Sequence, residues 1–147
     1  MDIEKLLRSL NEHEVDYVII GATAFPIYGY SRATLDIDIL IKPTEKNAQN
    51  TLLALKSFGY DMDDVSVPDI LSKKILIRQY ILETDIHPFV KGVTVEEIWK
   101  NRISGKIGDV PCYFASLDDL ISMKKAAGRA KDKEDLKFLT KIKEKIK

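Results

Sequence analysis

The stretch YVIIGATAFPIYGYSRATLDIDILI, from Tyr17 to Ile41, restricts the fold more than any other part of the chain. A strand over Asp16–Ile20 runs into a small-residue turn at Gly21-Ala22. A short helix over Ala22–Tyr28 follows, and a second strand over Asp36–Ile41 opens with two aspartates. Side chains alternate along a strand, so Asp36 and Asp38 share one face with Cα atoms roughly 6.5–7 Å apart, while Ile37, Ile39 and Ile41 take the other. Carboxylates that close repel each other unless a cation lies between them. Hard cations prefer oxygen ligands, and Mg²⁺ commonly takes one or two carboxylates together with substrate phosphates. A strand that ends in a glycine turn and a helix N-terminus also offers backbone N–H groups to an anion. Phosphate donors and metal-holding carboxylates in one segment point to phosphoryl or nucleotidyl chemistry. The plainer alternative is a half-buried strand whose aspartates face water.

Helices and strands alternate along the remainder, which predicts an α/β (α+β) architecture with helices packed on a sheet. Ile3, Leu6, Leu7 and Leu10 recur at helical spacing and predict a helix over residues 3–12. Pro26 fits the short helix only in its first turn, where N–H groups lack partners anyway. Glu45–Phe58 reads as a helix stopped by Gly59, and residues 60–72 read mostly as loop. Lys74–Gln79 and Tyr80–Pro88 are β-like. Thr94 and Glu97 form a capping box that opens a helix through Arg102. Ile103–Gly108 and Val110–Ala115 form a hairpin turning at Gly108-Asp109. Ser116 caps a helix to about Ala127, and after Gly128 a last helix reaches the end. A single domain over residues 1–147, with a helical C-terminal segment at 116–147, is expected from this length.

The arrangement resembles the nucleotidyltransferase superfamily with the polymerase-beta-like fold. Its signature is an apolar strand, a Gly-Gly or Gly-Ser turn, an Asp-x-Asp on the next strand and a third acid on a later one. Gly21 matches the turn and Asp36 and Asp38 match the pair. Asp85, in YILETDIHPF, matches the third acid, with Glu83 in phase as its alternate. Ala22 departs from the second glycine or serine and offers no hydroxyl to a triphosphate. Arg32-x-Thr34-x-Asp36-x-Asp38 is similar to a run in small members, in which the arginine balances triphosphate charge and the threonine orients the first aspartate. The C-terminal Lys124, Arg129, Asp132 and Asp135 look like the closing motif of abortive-infection-type nucleotidyltransferase toxins and other minimal nucleotidyltransferases.

The resemblance implies a nucleotidyltransferase-like mixed sheet with packed helices and a C-terminal helical pair. It implies Mg²⁺ or Mn²⁺ held by Asp36, Asp38 and Asp85, with a second ion bridged by Asp85. A nucleoside triphosphate is the implied substrate, received by Gly21, Ala22, Arg32, Thr34, Lys124 and Arg129. The acceptor is left open among RNA, protein and small molecule. The alternative function is a catalytically weak or silent nucleotide- or partner-binding module, such as the antitoxin-like component of a toxin–antitoxin pair. Haloacid dehalogenases also use Asp-x-Asp, but there the pair follows a long apolar strand. Here Ser31-Arg32-Ala33-Thr34 precede it, and the aspartates begin the strand instead.

Each of these residues also has a plainer reading. Arg32 and Thr34 fit an ordinary surface, and His87, in phase with Asp85 but next to Pro88, reads as structural. His13 reads as a surface residue. Lys124 falls on the apolar stripe of Leu117, Leu120 and Ile121, so its ammonium must snorkel or meet an anion. Arg129 and Asp132 also fit a local ion-pair lattice with Asp132 capping the helix.

The lone cysteine, Cys112, excludes an internal disulfide framework. The N-terminal residues carry early acids and no long apolar run, so neither a signal peptide nor a membrane span is expected and the expected compartment is the cytoplasm. Net charge is zero, yet residues 121–147 hold ten Lys/Arg against four Asp/Glu. Such a tail either attracts a polyanion or is the solvated face of a lysine-rich helix.

Overall fold

A computed structural model describes residues 2–29 and 36–146. The elements run α1 (Ile3–Glu12), β1 (Tyr17–Ile20), a 3-10 helix (Gly21–Tyr28), β2 (Asp36–Ile41), α2 (Glu45–Phe58), α3 (Val67–Ser72), β3 (Ile75–Ile77) and β4 (Glu83–His87). They continue with α4 (Val95–Asn101), β5 (Ile103–Ile107), β6 (Val110–Phe114), α5 (Leu117–Ala127) and α6 (Ala130–Ile146). The strands form one mixed sheet in the order β3-β4-β2-β1-β6-β5. β2 runs antiparallel to β1 and parallel to β4, and β1 runs parallel to β6. β3 and β5 form the antiparallel edges. This is the mixed α/β architecture with a C-terminal helical pair that the pattern predicts.

Local chemistry explains where the elements start and stop. Asp2, Thr44, Ser66, Thr94 and Ser116 each accept a backbone N–H from the first turn of the helix that follows. Gly59 and Gly128, both at positive φ, end α2 and α5. Ile37, Ile39 and Ile41 are fully buried and share a core with Leu6, Leu7 and Leu10 of α1 and Ala48, Ala54 and Leu55 of α2. The buried Asn47 stitches helix to sheet. Its Oδ1 accepts from Asp16 N at 2.8 Å, and its Nδ2 donates to the Asp16 and Lys42 carbonyls, each at 2.9 Å. That clamp fixes the entry of β1 against the exit of β2, and with it the register that places Asp38.

Two local expectations change. Residues 60–66 are loop as expected, but 67–72 are not: α3 forms over Val67–Ser72, nucleated by a reciprocal capping box between Ser66 and Asp69 with Pro68 in its first turn. Pro26 lies late in its helix, not in the first turn. Its fixed φ suits 3-10 geometry, and its carbonyl accepts from Gly29 N at 3.0 Å, where Gly29 turns the chain at φ 85°. Among the described residues no helix is long and apolar enough to cross a membrane.

Candidate metal and phosphate site

Strand pairing assembles the site by rows. Asp38 lies opposite Ile20 of β1 on one side and Asp85 of β4 on the other, and Asp85 lies opposite Leu76 of the edge strand β3. One row along, His87 is level with Leu40; one row back, Glu83 is level with Asp36. All of these acids and His87 therefore stand on one sheet face, opposite the isoleucines of the core. Asp36, Asp38 and Glu83 are half-buried, and Asp85 is buried.

Asp38, Asp85 and His87 converge, each offering a ligand atom within 4.8 Å of the others. His87 Nε2 lies 2.8 Å from Asp38 Oδ1. Two carboxylates and an imidazole make a donor set that fits a divalent cation able to take oxygen and nitrogen ligands together. Asp36 is on the same face one row away and lies outside the converging set. Its carbonyl accepts from Thr23 Oγ1 at 3.0 Å, tying the start of β2 to the 3-10 helix. Asp85 carries a further partner: Arg78 Nη1 donates to its Oδ1 at 2.7 Å, and Arg78 Nε is 3.7 Å from Glu83 Oε2.

Gly21 explains how the turn meets the acids. It sits at φ 75°, and a Cβ there would lie 2.6 Å from Asp38 Oδ2. Only glycine provides both the left-handed backbone and the room for that carboxylate. Ala22 is buried as the second residue of the 3-10 helix, whose start has no side-chain cap among the described residues. Gly21→Ala is expected to lower stability by about 1–3 kcal/mol through backbone strain and displacement of Asp38. Thermal denaturation checks this, and a melting temperature equal to wild type would contradict it.

A cavity of about 430 Å³ opens from this point. Gly21, Asp38 and His87 line its polar end, and Val90, Leu120 and Met123 give it an apolar wall. Lys74, Lys91, Lys124 and Arg129 bring positive charge to it. The loop carrying Val90 and Lys91 is held close to α5 at Gly92, where an added Cβ would come within 2.7 Å of the Ser122 carbonyl.

The structure thus brings Gly21, Asp38, Lys124 and Arg129 to one cavity, from segments far apart in sequence. Arg32 and Thr34 lie outside the described residues. The anion that Lys124 meets belongs to its own chain: its Nζ is 3.0 Å from Asp132 Oδ1 and 3.2 Å from Asp135 Oδ2. Arg129 Nε lies 2.6 Å from Asp132 Oδ2. Burial opposes ionisation of Asp132, but the Arg129 and Lys124 hydrogen bonds outweigh it and hold this carboxyl well below the usual range. Of the basic tail, Lys137, Lys141 and Lys145 are solvated, and Lys143 pairs with Asp118 at 2.6 Å.

Sequence reading underweighted His87 and missed Arg78 and Lys74. His87 shares the parity of Asp85, a visible signal, but its partner is 49 residues away across β2. Burial pushes the Cys112 thiol up to about 11, so it is protonated at neutral pH and a poor nucleophile.

Fold and site together define a class: a mixed-sheet protein whose strand face carries carboxylates and an imidazole able to hold a divalent cation, beside a cavity with positive charge. Residues 1–144 match the model of a family described as "Nucleotidyltransferase of unknown function (DUF6036)", and the chain belongs to that family. A search of curated proteins finds no match.

Proposed function

We propose that the protein is a metal-dependent nucleotidyltransferase that moves a nucleoside monophosphate from a nucleoside triphosphate to an acceptor hydroxyl. The observation that carries this reading is the convergence of Asp38, Asp85 and His87, with Asp38 against the Gly21 turn and Asp38 and His87 at the polar end of the cavity. Asp38 and Asp85, with His87 beside them and Asp36 one row away, would hold Mg²⁺ or Mn²⁺. Bound there, such an ion neutralises phosphate charge and stabilises the entering and leaving oxygens of an in-line displacement.

The remaining roles fall to the chain itself. The backbone N–H groups of Gly21 and Ala22 would receive the triphosphate, and the family resemblance assigns charge balance to Arg32 and orientation of Asp36 to Thr34. The acceptor oxygen attacks the α-phosphorus as the bond to the β-phosphate oxygen breaks and pyrophosphate leaves. Asp85 helps deprotonate the acceptor hydroxyl, whose proton passes to solvent. Lys124 and Arg129 place positive charge along the cavity wall for the departing pyrophosphate. The acceptor is an RNA end, a protein hydroxyl or a small molecule.

Two observations favour the alternative of a weak or silent nucleotide-binding module, for example one acting as an antitoxin. Ala22 supplies no hydroxyl, and Lys124 is already neutralised by Asp132 and Asp135. Titration calorimetry with ATP, GTP, CTP and UTP tests the shared requirement for a cation. Binding is expected with Mg²⁺ or Mn²⁺ and is expected to vanish in excess chelator. Equal affinity with chelator present would remove the metal from both readings.

A further inference from the structure

Asp85 is the acid for which the family resemblance implies a second metal ion, yet in this chain one of its oxygens already holds a cation. Arg78 follows the edge strand β3, whose last residue Ile77 lies opposite Thr84. Alternation from Ile77 puts Arg78 on the same face as Leu76 and the acids. From there the guanidinium reaches back to Asp85 Oδ1 at 2.7 Å, with Glu83 Oε2 at 3.7 Å.

A guanidinium does not give up its charge at any physiological pH. A carboxylate in a charge-assisted hydrogen bond to arginine yields that oxygen only when the bond breaks. A divalent ion entering on the Arg78 side of Asp85 therefore loses that bond and also faces a fixed like charge a few ångströms away. An ion among Asp38, His87 and the remaining oxygen of Asp85 breaks no bond to Arg78. Arg78 has a second acidic neighbour in Glu83 and its side chain is 41% exposed, so its position does not depend on burial.

We propose that Arg78 stands in for a second metal ion, so that the acidic cluster takes one divalent cation per chain and the guanidinium supplies the remaining positive charge on Asp85. The proposal rests on the metal-dependent reading above. It separates this chain from one in which Asp85 bridges two ions.

Mn²⁺ titrated into metal-free protein and followed by electron paramagnetic resonance, with and without α,β-methylene ATP, tests this. Wild type is expected to bind one ion per chain at the cluster and to show no spin-coupled Mn²⁺ pair. Arg78→Met is expected to take a second ion at least tenfold more tightly than wild type does, with a spin-coupled pair appearing. Arg78→Lys keeps the charge and is expected to behave as wild type. Wild type and Arg78→Lys should melt together, whereas Arg78→Met should melt lower in metal-free buffer, because buried Asp85 loses its partner, and should regain stability as Mn²⁺ is added. A coupled pair in wild type, or an Arg78→Met protein with unchanged stoichiometry, would overturn the proposal and leave the metal reading in place. No Mn²⁺ bound by any of the three would overturn the metal reading, and the proposal with it.

Discussion

Asp132→Ala is expected to cost about 3 kcal/mol of folding stability, the lower end of what breaking a buried ion pair by removing one partner costs. Asp132 is fully buried at the junction of α5 and α6 and is the shared acceptor for Lys124 and Arg129. Its Oδ2 also accepts Arg129 N at 3.1 Å, which closes the first turn of α6. Removing it strips Lys124 of one carboxylate, although Asp135 remains at 3.2 Å and limits the loss. Arg129, with its side chain 60% exposed, turns to water at little cost. Against a total stability of about 5–15 kcal/mol for a domain, this is a large effect. Chemical denaturation with urea checks it, and a midpoint within error of wild type would contradict it.

The same carboxyl sets a pH dependence. Its folded pKa is depressed, so its contribution to stability is complete above the ordinary aspartate value of about 3.9. The contribution is lost as pH falls through the lower folded value. Wild type and Asp132→Ala should therefore differ in melting temperature at neutral pH and converge as the solution is acidified below about pH 4. A difference that stays constant across that range would separate the destabilisation from ionisation of Asp132.

Much of the fold was legible because it is written locally. β2 spans Asp36–Ile41 and α2 spans Glu45–Phe58, as the alternation of isoleucines and the Gly59 stop imply. α3 was not legible: six residues are too few to display a helical period, and its capping partner is an aspartate where glutamate or glutamine is the usual signal. The site divided along the same line. Asp38 and Gly21 announce themselves by residue type and spacing, and the structure adds that the turn needs glycine because Asp38 lies against it.

His87 and Arg78 take their meaning from register. Nothing in a single strand says that Asp38 will stand beside Asp85, or that the residue past β3 will reach back to it. Lys124 shows the opposite case. Its place on an apolar stripe requires it to snorkel or meet an anion, but sequence spacing does not say which, or that the anions are, as found, Asp132 and Asp135.

Asp38→Asn is expected to lower nucleotidyl transfer by roughly 10²–10³-fold or more, the scale on which a single preorganised electrostatic contact acts. Asparagine keeps the volume beside Gly21 and an oxygen for His87 but removes the charge that would hold the cation. It also relieves repulsion with Asp85, so stability in metal-free buffer should stay within about 1 kcal/mol of wild type. The direct measurement uses the four nucleoside triphosphates, each radiolabelled at the α-phosphate, incubated with total cell RNA and protein and Mg²⁺ or Mn²⁺. Label should become covalently attached to one acceptor fraction with wild-type protein, and this should fail with chelator or with the equally stable Asp38→Asn variant. No attachment from any donor, or attachment undiminished in the variant, would contradict the account.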